Sequence, residues 1–394
     1  MQGSYQITHQ SNRSILPGRR FLPGIFLIFF CLTSACGISG DMSNGQRLEF
    51  KDPGSWINSD SFALSDKTGE VVLVDFWTYT CVNCLRTLPY LKDWHRKYGE
   101  RGLTIVGVHS PEFDFEKVFQ NVDSAVSQLG IEHAVFLDNE KETWREFNNR
   151  YWPAKYLVDH EGIVRYQHFG EGDYAQTEHA IRKQLERAGF DVSDIPVDTA
   201  SLSGSFDQLD SRKNQTRELY AGADRNYLAY RNHIKFGQGH PYIGNEEYFV
   251  SSDSSSVEHP VTFIDPGIYE DNVLYINGLW SKRDEYLSHA RVTDDHSDYL
   301  VLKFSGAEVN VVLEKGNGTY RVRVNISDVP LTRYEAGVDI QFDEKGQSYL
   351  EVSESRMFNI VKLRGSESRI LKLSSNSSDF SVYAFTFGSD PRDD

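Results

Sequence analysis

Two cysteines separated by two residues, Cys81 and Cys84, have the spacing in this chain that most directly supports chemistry. They follow an apolar, β-branched run at residues 71–76, which predicts a strand buried on both faces. Leucines and aromatic residues then recur at helical spacing over residues 85–98. Cys81 would therefore lie at the N-terminus of a helix, where unpaired N–H groups and the helix dipole favour a thiolate. Cys84 would lie one turn inside the helix.

This arrangement favours thiol–disulfide exchange, in which an exposed thiolate attacks and a less exposed thiol resolves the mixed disulfide. The pair would cycle between two thiols and a Cys81–Cys84 disulfide. A zinc site would need two further ligands nearby, but the twelve histidines form no H-x-x-x-H pair and there is no second C-x-x-C. We therefore expect no metal and no other cofactor.

Length and charge limit the classes of function. A chain of 394 residues predicts about two domains, each with enough residues for a hydrophobic core. The formal net charge of −16 argues against a surface that binds nucleic acid or anionic lipid headgroups. Solubility alone accounts for this acidic balance.

Residues 1–35 are typical of an export segment. Arg19 and Arg20 precede a short apolar run at residues 21–35, which is short for a membrane span and typical of a signal peptide. Thr33-Ser-Ala-Cys36 resembles a bacterial lipoprotein cleavage site, which would make Cys36 the lipid anchor and residues 36–49 a tether. An uncleaved signal anchor is the alternative. Either prediction places the rest of the chain outside the cytoplasm, in the periplasm or cell envelope, tethered to the membrane.

Residues 50–190 alternate between strand and helix patterns. Gly99 is the expected C-cap of the first helix. Strands alternating with helices predict a layered α/β domain. Further strands are predicted at residues 103–108, 134–137, 154–158 and 163–169, and further helical faces at 118–129 and 180–188.

The segment Val-Asp-Phe-Trp-x-x-x-Cys-x-x-Cys resembles the active-site strand of the thioredoxin superfamily. Asp75 stands six residues before the first cysteine and Pro89 five residues after the second, as in that family. Trp152-Pro153 before a strand resembles the loop proline of the family, which follows a cis bond and packs against the disulfide. The resemblance implies a thioredoxin-like fold for this domain.

Four segments resemble narrower branches of that superfamily. The helical insertion around residues 113–130 is similar to the extracytoplasmic TlpA/ResA-like branch. Residues 77–84, 108–113 and 151–154 are similar to the soluble C-terminal part of DipZ proteins. Thr80 replaces the tryptophan that thioredoxins carry before the first cysteine, and Val82-Asn83 replaces Gly-Pro, so no redox potential follows from the resemblance.

The resemblance implies roles for the two cysteines and for two acidic residues near them. Cys81 would be the nucleophile and Cys84 the resolving thiol. Asp75, if buried, would be basic enough to take the proton of Cys84; as a solvated acid at the end of the strand, it would not. Glu112 occupies the place of the acidic residue near the disulfide in ResA-like proteins, although a loop glutamate can also be inert.

Substrate contacts are expected from two tryptophans and the loop proline. Trp77 and Trp152 would form an apolar surface beside the disulfide and a bound client chain, unless they are plain core residues. Pro153 would fix the backbone so that its neighbour can pair with an extended client segment.

Residues 191–211 predict a linker, because Asp, Ser and Pro alternate there without an apolar period. Residues 212–394 predict an antiparallel β sandwich without long helices. Motifs at 220–222, 278–280 and 383–388 resemble the second domain of DipZ, a jelly roll like a carbohydrate-binding module. Asp294-Asp-His-Ser-Asp298 allows a calcium loop but is more typical of a solvated turn. Short strands are predicted at residues 261–264, 273–276, 299–304, 309–313, 320–324, 358–363, 370–373 and 380–387.

These patterns predict an extracytoplasmic thiol:disulfide oxidoreductase, with the reductase direction favoured. Its partners would be exported cysteine-containing proteins and a separate CcdA/DsbD-like membrane electron donor, with no nucleic acid. A thiol peroxidase is one alternative, since Thr78 and Cys81 form T-x-x-C, although Val74 stands where a proline is expected. A glycan-binding surface protein with a vestigial redoxin domain is the other.

Overall fold

The computed structural model describes residues 47–51, 53–196, 215–222 and 260–388. The predicted export segment, Cys36 and most of the predicted linker lie outside these residues. We refer to residues 47–196 as the α/β region and to residues 215–388 as the β region. Within the described residues, no helix has the length and apolar character needed to cross a membrane.

The α/β region contains a six-stranded sheet with helices packed against it. The strand order is β1-β4-β3-β2-β5-β6, with β2, β3 and β4 mutually parallel and the outer strands antiparallel to their neighbours. Its elements are β1 (Trp56–Ile57), β2 (Val71–Trp77), α1 (Val82–Tyr98), β3 (Leu103–His109), α2 (Phe119–Gln128), β4 (Ala134–Leu137), α3 (Glu142–Glu146), β5 (Ala154–Val158), β6 (Val164–Phe169) and α4 (Tyr174–Arg187).

Strand β2 confirms the predicted strand buried on both faces. All seven of its residues are buried. Val71, Leu73 and Trp77 join the hydrophobic cluster that includes α1, whereas the alternate residues at 72, 74 and 76 join the cluster on the opposite face. The cysteine motif therefore follows directly after a strand that is buried on both faces.

The end of α1 differs in detail from the prediction. Gly99 is the C-cap, as expected, but it keeps a right-handed backbone with φ of −56°. The chain continues through one 3₁₀ turn and reverses at Gly102, where φ is +88°. A Cβ at Gly102 would lie 2.3 Å from the Phe190 ring, so both the left-handed backbone and the close approach require glycine.

The β region contains eleven strands within the described residues and joins them in one continuous hydrogen-bonded set. Together with the α/β region, this confirms the predicted fold class of a thioredoxin-like α/β domain followed by an all-β domain. The strands are β7 (Leu219–Tyr220), β8 (Val261–Phe263), β9 (Leu274–Lys282), β10 (Leu287–His289), β11 (Tyr299–Glu314), β12 (Tyr320–Ile326), β13 (Val329–Pro330), β14 (Ile340–Phe342), β15 (Ser348–Val352), β16 (Arg356–Ser374) and β17 (Ser381–Gly388).

Two pairs of predicted short strands prove to be two long strands. β11 and β16 pair along most of their lengths, with register irregularities between Gly306 and Glu308 and between Val309 and Asn310. Before Gly306, β11 also pairs with β9, and from Glu308 onward it pairs with β17. The glycine and polar residues that suggested turns instead form a bulge, which bends a strand without ending it.

The two regions share a hydrophobic cluster. In β11, Val311 and Leu313 face the core of the β region, whereas Val312 joins Tyr383 and Ala384 in the cluster built on α1 and β2. The β region is therefore packed against the α/β region through apolar side chains.

The predicted linker does not begin at residue 191 as a free segment. Val192 is fully buried, and its carbonyl accepts a hydrogen bond of 2.7 Å from Arg182. Arg101 pairs with Asp194 at 2.9 Å. Residues 191–196 therefore belong to the packed α/β region, because isolated apolar anchors and arginine contacts hold a segment that has no apolar period.

Candidate active site

Cys81 caps the N-terminus of α1. Its backbone is extended, with φ of −82° and ψ of 108°, and its Sγ accepts a 3.2 Å hydrogen bond from the backbone N–H of Cys84. Cys81 is half-buried and Cys84 is buried, and both are free thiols in this structure. The structure confirms the predicted position of both residues, with the accessible sulfur at the helix end and the second sulfur beneath it.

The buried thiol needs a proton acceptor before it can react. Burial raises the pKa of Cys84 well above its ordinary value, and its hydrogen bond with Cys81 and the negative charges of Cys81 and Asp75 raise it further. Cys84 is therefore protonated at neutral pH. The charge of Asp75 therefore acts in the direction that keeps the Cys84 thiol protonated.

Asp75 is buried, and it faces a buried lysine. Its side chain lies opposite Lys155 in the antiparallel register of β2 and β5, with Lys155 Nζ 3.3 Å from Asp75 Oδ1. Both residues are 1% exposed. Burial raises the pKa of Asp75, and the positive charge of Lys155 opposes that rise. Asp75 is thus a buried carboxyl group with raised basicity rather than a solvated acid at a strand end.

Lys155 was not identified by the sequence reasoning. It lies within the run Ala154-Lys-Tyr-Leu-Val158, where every residue is buried. A lysine inside a fully apolar strand is the signal that could have found it, since a buried lysine almost always has a partner of opposite charge.

The loop before β5 contains the expected cis proline. The Trp152–Pro153 peptide bond is cis, and Pro153 is buried. β5 begins at Ala154 opposite Phe76, so Pro153 lies beside the end of β2 from which the cysteine loop starts. Trp152 is half-buried, and its Nε1 donates a 3.0 Å hydrogen bond to the carbonyl of Ser110.

Two exposed aromatic side chains next to this proline were missed. Tyr151 is 56% exposed and Phe169 is 46% exposed, with ring centroids 5.5 Å apart. Phe169 lies opposite Ala154 in the sheet. These rings provide the apolar surface beside the proline that the sequence had assigned to the tryptophans.

Trp77, in contrast, has no surface available to a client chain. It is 1% exposed and packs edge-on against His109, with ring centroids 5.4 Å apart. Gly107 on β3 leaves room for it, since a Cβ there would lie 2.9 Å from Trp77 Nε1. The expected contact with a bound chain is therefore not available to Trp77 in this conformation, which makes it a core residue.

The carboxylate that is hydrogen-bonded to the cysteine loop belongs to Glu116. This residue lies four positions after Glu112, the acidic residue that the sequence indicated. Glu112 is half-buried, and its Oε1 accepts a 2.7 Å hydrogen bond from the Tyr220 hydroxyl. Glu116 is fully buried, and its Oε1 accepts a 2.5 Å hydrogen bond from the hydroxyl of Thr80, the residue before Cys81. Burial and the charge of Glu112 raise the pKa of Glu116 to about 7.

A buried histidine near the loop is neutral. His109 Nε2 lies 3.3 Å from Thr78 Oγ1, and its ring stacks on Tyr79. Burial lowers the pKa of His109 to about 3. The ring therefore carries no positive charge at neutral pH, and His109 cannot stabilise a thiolate as an imidazolium.

The acidic turn in the β region is a structural network. Asp298 is 2% exposed, and its oxygens lie 2.6 Å from Arg291 and 3.0 Å from His289. Protein donors thus occupy the carboxylate that a calcium loop would need, and Asp298 is not the solvated residue that the sequence suggested. In the described part of the chain, no group of three His, Cys, Asp or Glu side chains could hold a metal ion.

Comparisons with known proteins agree with this geometry. Residues 48–167 match the AhpC/TSA family, and residues 239–388 match the family described as thioredoxin like C-terminal domain. Protein DipZ of Mycobacterium tuberculosis is 33% identical over 284 residues, which cover 71% of this chain and 36% of DipZ. The chain thus contains a thioredoxin-like domain, followed by a part that matches the thioredoxin like C-terminal family.

Other relatives match a smaller share of this thioredoxin-like chain. The thiol-disulfide oxidoreductase ResA of Bacillus anthracis is 25% identical over 165 residues, 40% of this chain and 92% of ResA. The crystal structure of a putative thiol:disulfide interchange protein DsbE from Chlorobium tepidum is 27% identical, with a TM-score of 0.32 over 37% of this chain and 98% of that one. The chain spans about a third of the length of the DipZ proteins it matches.

Lys155→Met should destabilise this thioredoxin-like protein by about 3 kcal/mol, because it leaves the Asp75 carboxylate buried without its counter-charge. Chemical denaturation at neutral pH measures the loss. Arg145→Met is the matched control, since Arg145 and Glu142 form an exposed ion pair whose side chains are 58% and 47% accessible. We expect the control to change the free energy of unfolding by about 0.5 kcal/mol or less.

The same variant should also steepen the pH dependence of stability. A carboxyl group whose pKa is raised on folding binds its proton more tightly in the folded state, so stability falls as the pH rises above about 4. Without Lys155 the pKa of Asp75 should rise further, and acidification from pH 7 to pH 5 should then restore part of the lost stability. Equal losses of unfolding free energy in Lys155→Met and Arg145→Met, at both pH 7 and pH 5, would contradict this. They would show that the buried Asp75–Lys155 pair contributes no more electrostatic energy than an exposed ion pair.

Proposed function

We propose that this protein exchanges two electrons with cysteine pairs of other proteins through Cys81 and Cys84. The observation that carries the proposal is the arrangement at the start of α1. The sulfur of the half-buried Cys81 accepts the helix N–H of Cys84, and the charge of Asp75 acts on the buried Cys84 thiol. This arrangement supports Cys81 as the attacking sulfur and Cys84 as the resolving sulfur.

In the reductive direction the Cys81 thiolate attacks one sulfur of a client disulfide. A bond forms between Cys81 Sγ and that sulfur, and the other client sulfur leaves as a thiolate that takes up a proton. Cys84 then loses its proton to Asp75 and attacks Cys81 Sγ, which releases the second client thiolate. The client gains two electrons and two protons, and the protein is left with a Cys81–Cys84 disulfide.

Lys155 gives Asp75 a specific part in this cycle. An isolated buried carboxylate would hold its proton permanently, whereas one paired with a lysine at 3.3 Å can be ionised before the reaction. Asp75 can then accept the Cys84 proton and later release it. Glu112 has no direct step in this scheme, because its Oε1 is bonded to Tyr220.

The client chain would bind beside the cis proline. Pro153 and Trp152 lie next to the end of β2, and the exposed rings of Tyr151 and Phe169 extend that surface. Exposed aromatic rings next to a reactive sulfur suit an extended segment with apolar side chains.

Trapping of the mixed disulfide tests the assignment of the two sulfurs. Cys84→Ser should attack but fail to resolve, so incubation with insulin as a disulfide-bonded probe should yield a covalent complex on a non-reducing gel. Cys81→Ser is the matched control and should yield almost none. Equal trapping by both variants, or by neither, would contradict the assignment.

The cellular setting of this chemistry is also a proposal. The apolar run ahead of Cys36 supports export, with a lipid on Cys36 or an uncleaved signal anchor as the tether. Clients would then be exported cysteine-containing proteins. A reductase in an oxidising compartment needs electrons from across the membrane, and we assign their delivery to a separate CcdA/DsbD-like membrane protein.

Acid-quenched thiol labelling of cells tests the direction. A reductase should be found with Cys81 and Cys84 mostly reduced, and deletion of the membrane donor should oxidise both. The mass of the mature N-terminus, read from the same samples, distinguishes a lipid on Cys36 from a retained residue 1–35 segment. A pair that is fully oxidised in growing cells would favour an oxidase or an isomerase instead.

A further inference from the structure

The β region contacts the segment between β3 and α2 that lies beside the cysteine loop; residues 112–116 are called the insertion segment below. Tyr383 packs edge-on against Phe113 and Phe115, with ring centroids 5.1 and 4.9 Å apart. The backbone N–H of Asp114 donates a 2.8 Å hydrogen bond to Glu285. Tyr220 and Glu112 make the third contact, at 2.7 Å.

Glu116 connects the insertion segment to the cysteine loop. Its Oε2 accepts hydrogen bonds of 2.5 Å and 3.0 Å from the backbone N–H groups of Glu112 and Phe113. Its Oε1 accepts the Thr80 hydroxyl at 2.5 Å. An unbroken series of contacts therefore runs from Tyr220 of the β region through Glu112 and Glu116 to the residue before Cys81.

A second contact holds the other end of the motif. Arg86 lies two residues after Cys84, and its guanidinium is 2.9 Å from Glu308 of β11. The second oxygen of Glu308 accepts a 2.8 Å hydrogen bond from Asn359 on the neighbouring strand β16. The residues before and after the C-x-x-C motif are thus both connected to the β region.

We propose that the β region is part of the redox site, with Tyr220 and Glu116 as positioning residues that hold the loop before Cys81. The inference rests on the proposed function only for its consequence in turnover. The geometry of the thiol itself can be tested without any client.

Glu116 should make this positioning sensitive to pH. An ionised carboxylate accepts all three donors, whereas a protonated one has less acceptor capacity for them. The groups facing it are the Glu112 carboxylate, whose proximity raises the Glu116 pKa, and Tyr79, which burial keeps neutral; His109 is reached through Thr78 and is neutral as well. Since its pKa is raised to about 7, Glu116 changes charge near neutral pH.

The test measures the alkylation rate of Cys81 by iodoacetamide in the full-length Cys84→Ser protein, followed by mass spectrometry of the Cys81 peptide. Tyr220→Phe removes one hydroxyl of the series, and Glu116→Gln removes the charge at nearly constant volume. Tyr383→Phe is the matched control, because its hydroxyl belongs to the same interface but is bonded to Glu314 inside the β region.

Tyr220→Phe should slow alkylation at least about threefold, since a loosened loop loses the hydrogen bond that stabilises the Cys81 thiolate. Tyr383→Phe should change it less than about twofold. The pH profile of the parent protein should show an inflection near 7 that is absent in Glu116→Gln. If Glu116→Gln does not fold, the Tyr220→Phe comparison decides alone.

Rates and pH profiles equal to those of the control would overturn the proposal. Failure of the proposed function gives a different pattern. In that case insulin is not reduced by the wild-type protein, while the alkylation rate of Cys81 still responds to Tyr220→Phe. Normal insulin reduction by Tyr220→Phe and Glu116→Gln made in the protein that keeps both cysteines, with unchanged alkylation in the Cys84→Ser protein, would retain the function and reject the positioning.

Discussion

The carboxyl groups of Asp75 and Glu116 are buried next to the cysteine motif. The surrounding structure has to compensate the energetic cost of burying each of them. Burying a charge is costly unless the group is paired or hydrogen-bonded. Lys155 supplies a counter-charge for Asp75, whereas Glu116 receives one hydroxyl and two backbone N–H groups. The strand pairing of β2 with β5 and the turn of the insertion segment are therefore arranged around these two groups.

The central part of the site could be predicted from the sequence, because its signals are local. A β-branched run predicts β2, helical spacing predicts α1, and the position of Cys81 at their junction follows from the two. The cis Trp152–Pro153 bond was available only through the family resemblance. Lys155 and Glu116 depend on which strands and segments become neighbours in space, and spacing along one segment does not contain that information.

The contact between the two regions likewise could not be predicted from the sequence. Strand β11 contains three consecutive apolar residues, Val311, Val312 and Leu313. A strand with one solvent-exposed face alternates apolar and polar residues and would not contain such a run. That run indicates that both faces are covered, but it does not identify the covering surface. Division of the chain into a redox domain and a separate sandwich follows from composition, whereas the shared cluster and the Tyr220–Glu112 bond follow only from the tertiary structure.

We propose that Cys81 and Cys84 form one two-electron couple. Equilibration of the purified protein in buffers of defined dithiothreitol ratio, followed by alkylation and peptide mass spectrometry, measures the redox state of each cysteine. We expect both cysteines to become protected from alkylation together as the buffer becomes more oxidising. The oxidised-to-reduced ratio of the protein should change tenfold for about 30 mV. Oxidation of Cys81 while Cys84 stays a free thiol, at any point of the titration, would contradict it.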